Sequence, residues 1–128
     1  MALSPRYGPH DLGAWGERIA AARLKDAGWC VADANVRLGR REIDLVIRRP
    51  RVIAFVEVKT RSGADFGSPA EAVNWRKRRE IEAVAAWYLD RRELADIDVR
   101  FDVVAIVAGP GRRVVHYTHI EDAWRPGW

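Results

Sequence analysis

The order of elements along the chain predicts an α/β fold in which a central mixed β-sheet is flanked by α-helices, α-β-β-β-α-β-β. Three observations carry this. Two segments have helical apolar spacing, five have the short β-branched runs of strands, and the three strand-like runs between the helices are joined by turns too short for crossovers. No linker, internal repeat or low-complexity tract interrupts the 128 residues, so a single domain spans 1–128, with 1–10 a loose Pro- and Gly-containing lead-in.

The first helix is predicted over "DLGAWGERIAAARLKDAG", with Asp11 at its cap and Gly28 as its stop. "WCVADANV", "REIDLVI" and "RVIAFVEVKT" are the first three strands, a meander with "RRPR" turning the second into the third. A loop, "RSGADFG", leads to Ser68, Pro69 and Glu71, which match an N-cap, a first-turn proline and a capping-box acid, so the second helix is predicted from there to about Leu89. "DVRFDVVAIVAG" and "RVVHYTHI" supply two further strands on either side of the turn signal "GPGR".

Composition narrows the setting. Lys plus Arg is 22 and Asp plus Glu is 18, a formal charge of +4, which permits an anionic partner without requiring one. A lone cysteine, Cys30, excludes an intrachain disulfide and a cysteine-rich zinc site and suits a reducing compartment. No apolar leader or membrane-spanning run is visible, so a cytoplasmic protein with no membrane partner is expected.

Chemistry enters where strands carry charges. In the second strand Ile43, Leu45 and Ile47 share one face, which sends Glu42 and Asp44 to the other. In the third, Ile53, Phe55, Glu57 and Lys59 share a face while Val52, Ala54, Val56 and Val58 fill the opposite one. A hairpin closed on Arg49 and Pro50 pairs residue 44 with 55 and 42 with 57, leaving Asp44 diagonal to Glu57 on one face; a two-residue shift preserves that parity. Two carboxylates beside an ammonium suit a hard divalent cation such as Mg2+, which can clamp a phosphate and acidify water for attack on phosphorus. The plainer reading is a solvated Glu–Lys pair, against which Ile53 and Phe55 on the same face argue. Glu17 lies on the small apolar face of the first helix with Gly13, Ala20, Ala21 and Leu24 and needs a partner there, unless it snorkels at the helix edge. Lys77 repeats the pattern in line with Val73, Ile81, Val84 and Tyr88, and "RKRR", Arg76, Lys77, Arg78 and Arg79, is a basic girdle suited to phosphate contacts or a solvated helix face. His10, His116 and His119 lack metal-ligand spacing, Asp102 alternates away from Phe101 and Val103 and either joins the acidic face or, the plainer reading, makes a structural hydrogen bond, and no phosphate-binding glycine loop or nucleophile elbow is present. Trp15, Trp29, Trp75 and Trp87 read as core rather than as base-stacking platforms; Trp124 and Trp128, in a polar tail, fit either.

"WGERIAAARLKDAGW", "EIDLVI", "FVEVKTR", "GSPAEAVNWRKRREI" and "RFDVVAI" together resemble, in order and spacing, the YraN-like family of uncharacterised endonuclease-like proteins, over roughly residues 15–124. That family looks like a branch of the restriction endonuclease-like, PD-(D/E)XK, superfamily, which includes archaeal Holliday junction resolvases. The resemblance implies a restriction endonuclease-like fold, Asp44 and Glu57 as metal ligands, Lys59 as the catalytic lysine and Glu17 as the helical acid. It also implies Mg2+ as cofactor, with Mn2+ as substitute, and a DNA substrate, branched or otherwise structured; a two-fold junction would suit a homodimer. Arg61, Arg76, Lys77, Arg78 and Arg79 are the candidate DNA contacts. Two positions depart from the pattern: Arg41 stands where the family usually has Gly before Glu-Ile-Asp, and Ile43 rather than Pro precedes Asp44. The expected function is a Mg2+-dependent endonuclease, the alternatives being a non-catalytic nucleic-acid-binding or assembly module with the same fold, and an enzyme acting on small phosphorylated molecules.

Overall fold

A computed structural model describes residues 11–63, 73–94 and 96–128. Seven elements follow in the order α1 (Leu12–Asp26), β1 (Cys30–Leu38), β2 (Arg41–Arg49), β3 (Val52–Ser62), α2 (Trp75–Asp90), β4 (Asp98–Gly109) and β5 (Arg113–Trp124). The five strands make one mixed sheet, β1-β2-β3-β4-β5, in which all neighbours are antiparallel except β3 and β4. β3 is therefore the central strand, and α2 lies on the crossover that its parallel pairing with β4 demands. No helix among the described residues is long and apolar enough to cross a membrane.

Two cores, one on each sheet face, follow from the alternation in the strands. Phe55, Ile53, Val46, Phe101 and Val103 pack with Ile81, Val84, Ala85 and Tyr88 of α2, and Leu45, Ile47, Ala54, Val56 and Val104 pack with Ala20 and Leu24 of α1. Ile43 departs from the expected row: it joins the α2 side rather than Leu45 and Ile47. The β2–β3 register runs only from Arg49 opposite Val52 to Leu45 opposite Val56, and beyond it β2 is held by β1 alone and twists away.

That register differs by two residues from a hairpin closed on Arg49 and Pro50. The turn falls on Pro50 and Arg51, with Arg51 at φ 67°, because proline suits the first central position of a tight turn and is disfavoured at the second. The parity survives, and the same register extended brings Asp44 level with Glu57 instead of diagonal to it. The second helix also differs from a continuous run between Ser68 and Leu89. It starts at Trp75, where extended Asn74 caps it by accepting the Lys77 N–H at 2.9 Å; Ser68, Pro69 and Glu71 lie outside the described residues. Starting there, Trp75 precedes the buried row of the helix and is 70% exposed, contrary to a core role, whereas Trp29 and Trp124 are buried.

α1 is delimited as its sequence predicts. Asp11 accepts the Ala14 N–H at 3.0 Å, a cap that contributes about 1 kcal/mol. Gly28, at φ 97°, ends the helix with the Trp29 N–H returning to the Leu24 carbonyl. Mid-helix, Gly16 lets α1 press on β3: a Cβ there would overlap Thr60 Oγ1 and stand 2.9 Å from Thr60 Cβ. Asp102 is a structural acid. Fully buried, it accepts from Arg100, from the Asp122 N–H and, at 2.8 Å, pairs with His119; burial pushes its carboxyl up, but these bonds outweigh it and hold the group below the usual range.

Because the Gly16 contact is backbone against side chain, Gly16→Ala is expected to lower the unfolding free energy by about 1–3 kcal/mol in urea titration, despite alanine's higher helix propensity. Adding Thr60→Ala should restore part of that loss by removing the overlapping hydroxyl. A Gly16→Ala protein as stable as the wild type would show that α1 has room to spare.

Candidate metal centre

Three carboxylates meet where β2 and β3 part, and a fourth stands near them. Beyond the end of the ladder the Val58 N–H has no β2 carbonyl to meet, and Asp44 Oδ2 accepts it at 2.8 Å. Glu17 reaches the same place from α1, set there by the close approach at Gly16. One carboxylate oxygen each from Glu17, Glu42 and Asp44 lies within 4.8 Å of the others. Asn35 ties two of them, donating from one amide nitrogen to Glu17 Oε1 and Glu42 Oε1, both at 2.8 Å. It does so from φ 51°, a left-handed conformation that asparagine tolerates better than most residues. Arg37 adds an ion pair to Glu42 at 3.1 Å.

Glu57 stands outside that triple but within its field. Only 5% exposed, it faces Lys59, whose Nζ is 3.9 Å from Oε1, while its Oε2 is buried with no hydrogen-bond partner among the described residues. Burial first, then the charge of Asp44, pushes the Glu57 carboxyl up to about 8, against the opposing pull of Lys77 and Lys59. Glu17 is pushed up to about 7 by burial, by the charges of Asp44 and Glu42 and by a hydrogen bond with Asp44. Asp44 is raised as well, burial outweighing the Val58 N–H.

Of the sequence-predicted residues, Glu17, Asp44, Glu57 and Lys59 are thus brought together. Lys77, expected among the DNA contacts, has its charge directed at Asp44 and Glu57. Arg78 turns inward, bonding the Val73 carbonyl at 3.0 Å and lying 5.4 Å over the Trp124 ring. Arg61, Arg76 and Arg79 are exposed. Glu42 and Asn35 were not among the predicted site residues. The parity shared by Glu42 and Asp44 was a signal for the first, but nothing local marks Asn35, which enters through the twist of β1 across from Asp44.

The donor set fits a hard divalent cation: carboxylates only, and one buried carboxylate oxygen with no hydrogen-bond partner among the described residues. Asp44 and Glu57 would hold it, with Glu17 and Glu42 close enough to Asp44 to share in the work.

A model of the uncharacterised protein family UPF0102 matches residues 16–106, a span that contains Glu17, Asp44, Glu57, Lys59 and the basic turn of α2. The chain is 43% identical over 118 residues to a UPF0102 protein of Syntrophotalea carbinolica, covering 91% of this chain and 94% of that one. It is 41% identical over 106 residues to a UPF0102 protein of Alkaliphilus metalliredigens, covering 83% and 92%. With one of Nocardia farcinica the identity is 45% over 104 residues, covering 81% and 82%.

The raised carboxyls set the pH dependence of the metal-free fold. Glu17 and Glu57 keep protons when folded up to about pH 7 and 8, which the unfolded chain releases near 4.5, so stability falls as pH rises through that window. In chelator the thermal midpoint should therefore drop between about pH 5 and about pH 8, and Glu57→Gln should flatten the slope. A midpoint that rises over the same range would contradict the placement of these acids.

Proposed function

The chain belongs to the uncharacterised protein family UPF0102, the YraN-like family, and from that premise we propose that it is a Mg2+-dependent endonuclease that hydrolyses phosphodiester bonds in DNA, with branched or structured DNA as preferred substrate. The observation that carries this is Glu57 on the central strand, buried with Oε2 lacking a hydrogen-bond partner among the described residues, within the field of Asp44 and followed at the second residue by Lys59. The restriction endonuclease-like fold is part of the same reading. Its support is the α-β-β-β-α-β-β order, with the Asp on β2, the Glu-x-Lys on β3 and a helical Glu against them.

Mg2+, or Mn2+ in its place, would supply a Lewis acid that draws charge from the phosphate and lowers the pKa of a water. The chain supplies the rest. Asp44 is held by the Val58 N–H and Glu57 by its burial, so neither reorganises when a phosphate arrives. Lys59 is 38% exposed at its side chain and 3.9 Å from Glu57, which lets one ammonium touch both the acid and an incoming phosphodiester. There it orients the attacking water and stabilises the charge that grows as a P–O bond forms on one side and the bond to the leaving sugar oxygen breaks on the other. Arg61 and Arg76, both exposed, are the phosphate contacts that extend the footprint. A homodimer would match the two-fold symmetry of a four-way junction.

A second reading has its own observation. Asn35 and the Val58 N–H already occupy Glu17, Glu42 and Asp44, as they would in a non-catalytic nucleic-acid-binding or assembly module that keeps an acidic pocket as structure. Calorimetric titration separates the two: the nuclease takes up Mg2+ at millimolar concentration when DNA is present, and the module takes up none.

Purified protein should cut at least one of single-stranded, duplex, flap or four-way-junction DNA with Mg2+ or Mn2+, and none in chelator. Glu57→Gln should abolish cutting. Lys59→Met should keep DNA affinity while turnover falls on the order of a hundredfold or more, the scale of losing one electrostatic stabiliser. Cleavage of no substrate with either metal would sink the proposal, and near-normal cleavage by Lys59→Met would remove the lysine from the mechanism.

A further inference from the structure

Beside the acidic cluster, α2 opens on a residue that the catalytic reading leaves unused. Trp75, its first residue, is 70% exposed, and Trp128 is 59% exposed. Large aromatic surface in water is costly unless something covers it. The chain does not fold over these two rings; it equips them. Arg79, one turn on from Trp75, sets its guanidinium 4.9 Å from the centre of the Trp75 ring. The same side chain reaches the segment after β5, where a Cβ on Gly127 would stand 3.7 Å from its Nη1. Arg79 thus bridges the neighbourhoods of both tryptophans.

The second ring is held in place by a device of its own. Buried Glu82 spends both oxygens on the segment that carries Trp128, accepting from Trp124 Nε1 at 3.2 Å and from the Gly127 N–H at 3.0 Å. Trp128 in turn meets the buried Phe101 edge to face, with ring centroids 6.1 Å apart. A loose segment has no need of a buried carboxylate to position its backbone. An exposed ring fixed by such a carboxylate is presented, not merely left over.

We propose that Trp75 and Trp128, with Arg79 reaching both neighbourhoods and exposed Arg76 next to Trp75 in sequence, form a stacking platform for unpaired nucleotides adjoining the acidic cluster. Flat π-faces interleaved with guanidinium groups fit bases and phosphates in alternation, the chemistry by which single strands are bound without sequence preference. A protein partner would be expected to meet an apolar surround; here Arg79 lies over the Trp75 ring and reaches the Gly127 backbone beside Trp128. The inference rests on the reading of this protein as directed at nucleic acid, which it deepens by naming strand ends, gaps and unpaired junction arms as the feature recognised. It needs no catalysis and is tested without it.

Fluorescence anisotropy with labelled thymidine-only and uridine-only strands of about 16 nucleotides, and a duplex of similar length, would be run in chelator. The expected result is a single strand held more tightly than duplex. Trp75→Ala and Trp128→Ala should each weaken that binding about tenfold, Trp75→Phe should restore most of it, and duplex affinity should change little. Trp75→Ala should melt at the wild-type temperature, since that ring is 70% exposed, and Trp128→Ala should lose at most a few degrees with its edge contact to Phe101, staying folded at the assay temperature. The two strands share the base-stacking chemistry; binding of either through Trp75 upholds the platform, and the preferred sugar identifies DNA or RNA as its source. Single-strand affinities unchanged in both alanine variants would overturn it and leave the patch to a protein contact. A wild type that binds strands through Trp75 yet cleaves nothing upholds the platform and sinks the nuclease, while cleavage together with unaltered variants does the reverse.

Discussion

The hydrogen bond from the Val58 N–H to Asp44 Oδ2 is the interaction on which the rest of the site depends. A central strand must satisfy its backbone donors, and a neighbour that peels away leaves them orphaned. Asp44 answers with a side chain where the β2 backbone would otherwise serve. The strands can therefore part without an unsatisfied amide, and the space between them becomes lined with carboxylates instead of filled by a ladder. Ile43 swinging to the opposite core, Asn35 turning left-handed across from Asp44, and Glu42 meeting Glu17 all belong to the same departure.

Electrostatics then explains why the cluster does not push itself apart. Four acids within one field cannot all ionise cheaply in a partly buried place, and the chain moderates them in three ways. Protons stay on Glu17 and Glu57 to higher pH than usual, Asn35 bridges Glu17 and Glu42, and Lys59 and Lys77 bring positive charge from two different elements. The contrast with Asp102 is instructive. That acid is more deeply buried, yet it is surrounded by Arg100, His119 and a backbone N–H and sits below the usual range. Burial alone does not raise a carboxyl; burial without enough donors does.

Much of this was legible in the sequence, for reasons that can be named. Alternation in "REIDLVI" and "VIAFVEVKT" places Asp44 and Glu57 on a common face, because side-chain parity is a local property of a strand. The turn chemistry of Pro50, which moves the register by two, was legible as well but points to the second central residue, Arg51, rather than to Arg49. What local pattern could not supply was long-range placement. The start of α2 depends on Asn74 rather than on Ser68, so Trp75 fell outside the buried row it was expected to join. Glu42 as a partner of Glu17 depends on how α1 lies across a twisted sheet, and that is set by contacts such as Gly16 on Thr60 that sequence spacing does not encode; the inward direction of Lys77 was legible from its line with Val73, Ile81 and Val84, but the acids it faces were not.

The parallel seam between β3 and β4 has a consequence in time. The hairpins on either side of it join neighbours in sequence and close at little entropic cost, whereas β4 finds β3 only after a long loop has been drawn together. All four acids lie in the segment before that seam, and Lys77 arrives with the helix that spans it. The half of the molecule that can order first is the half that carries the self-repelling charge. Completion of the sheet is therefore also the event that brings in the second cation, which couples the last step of folding to the tolerance of the acidic cluster.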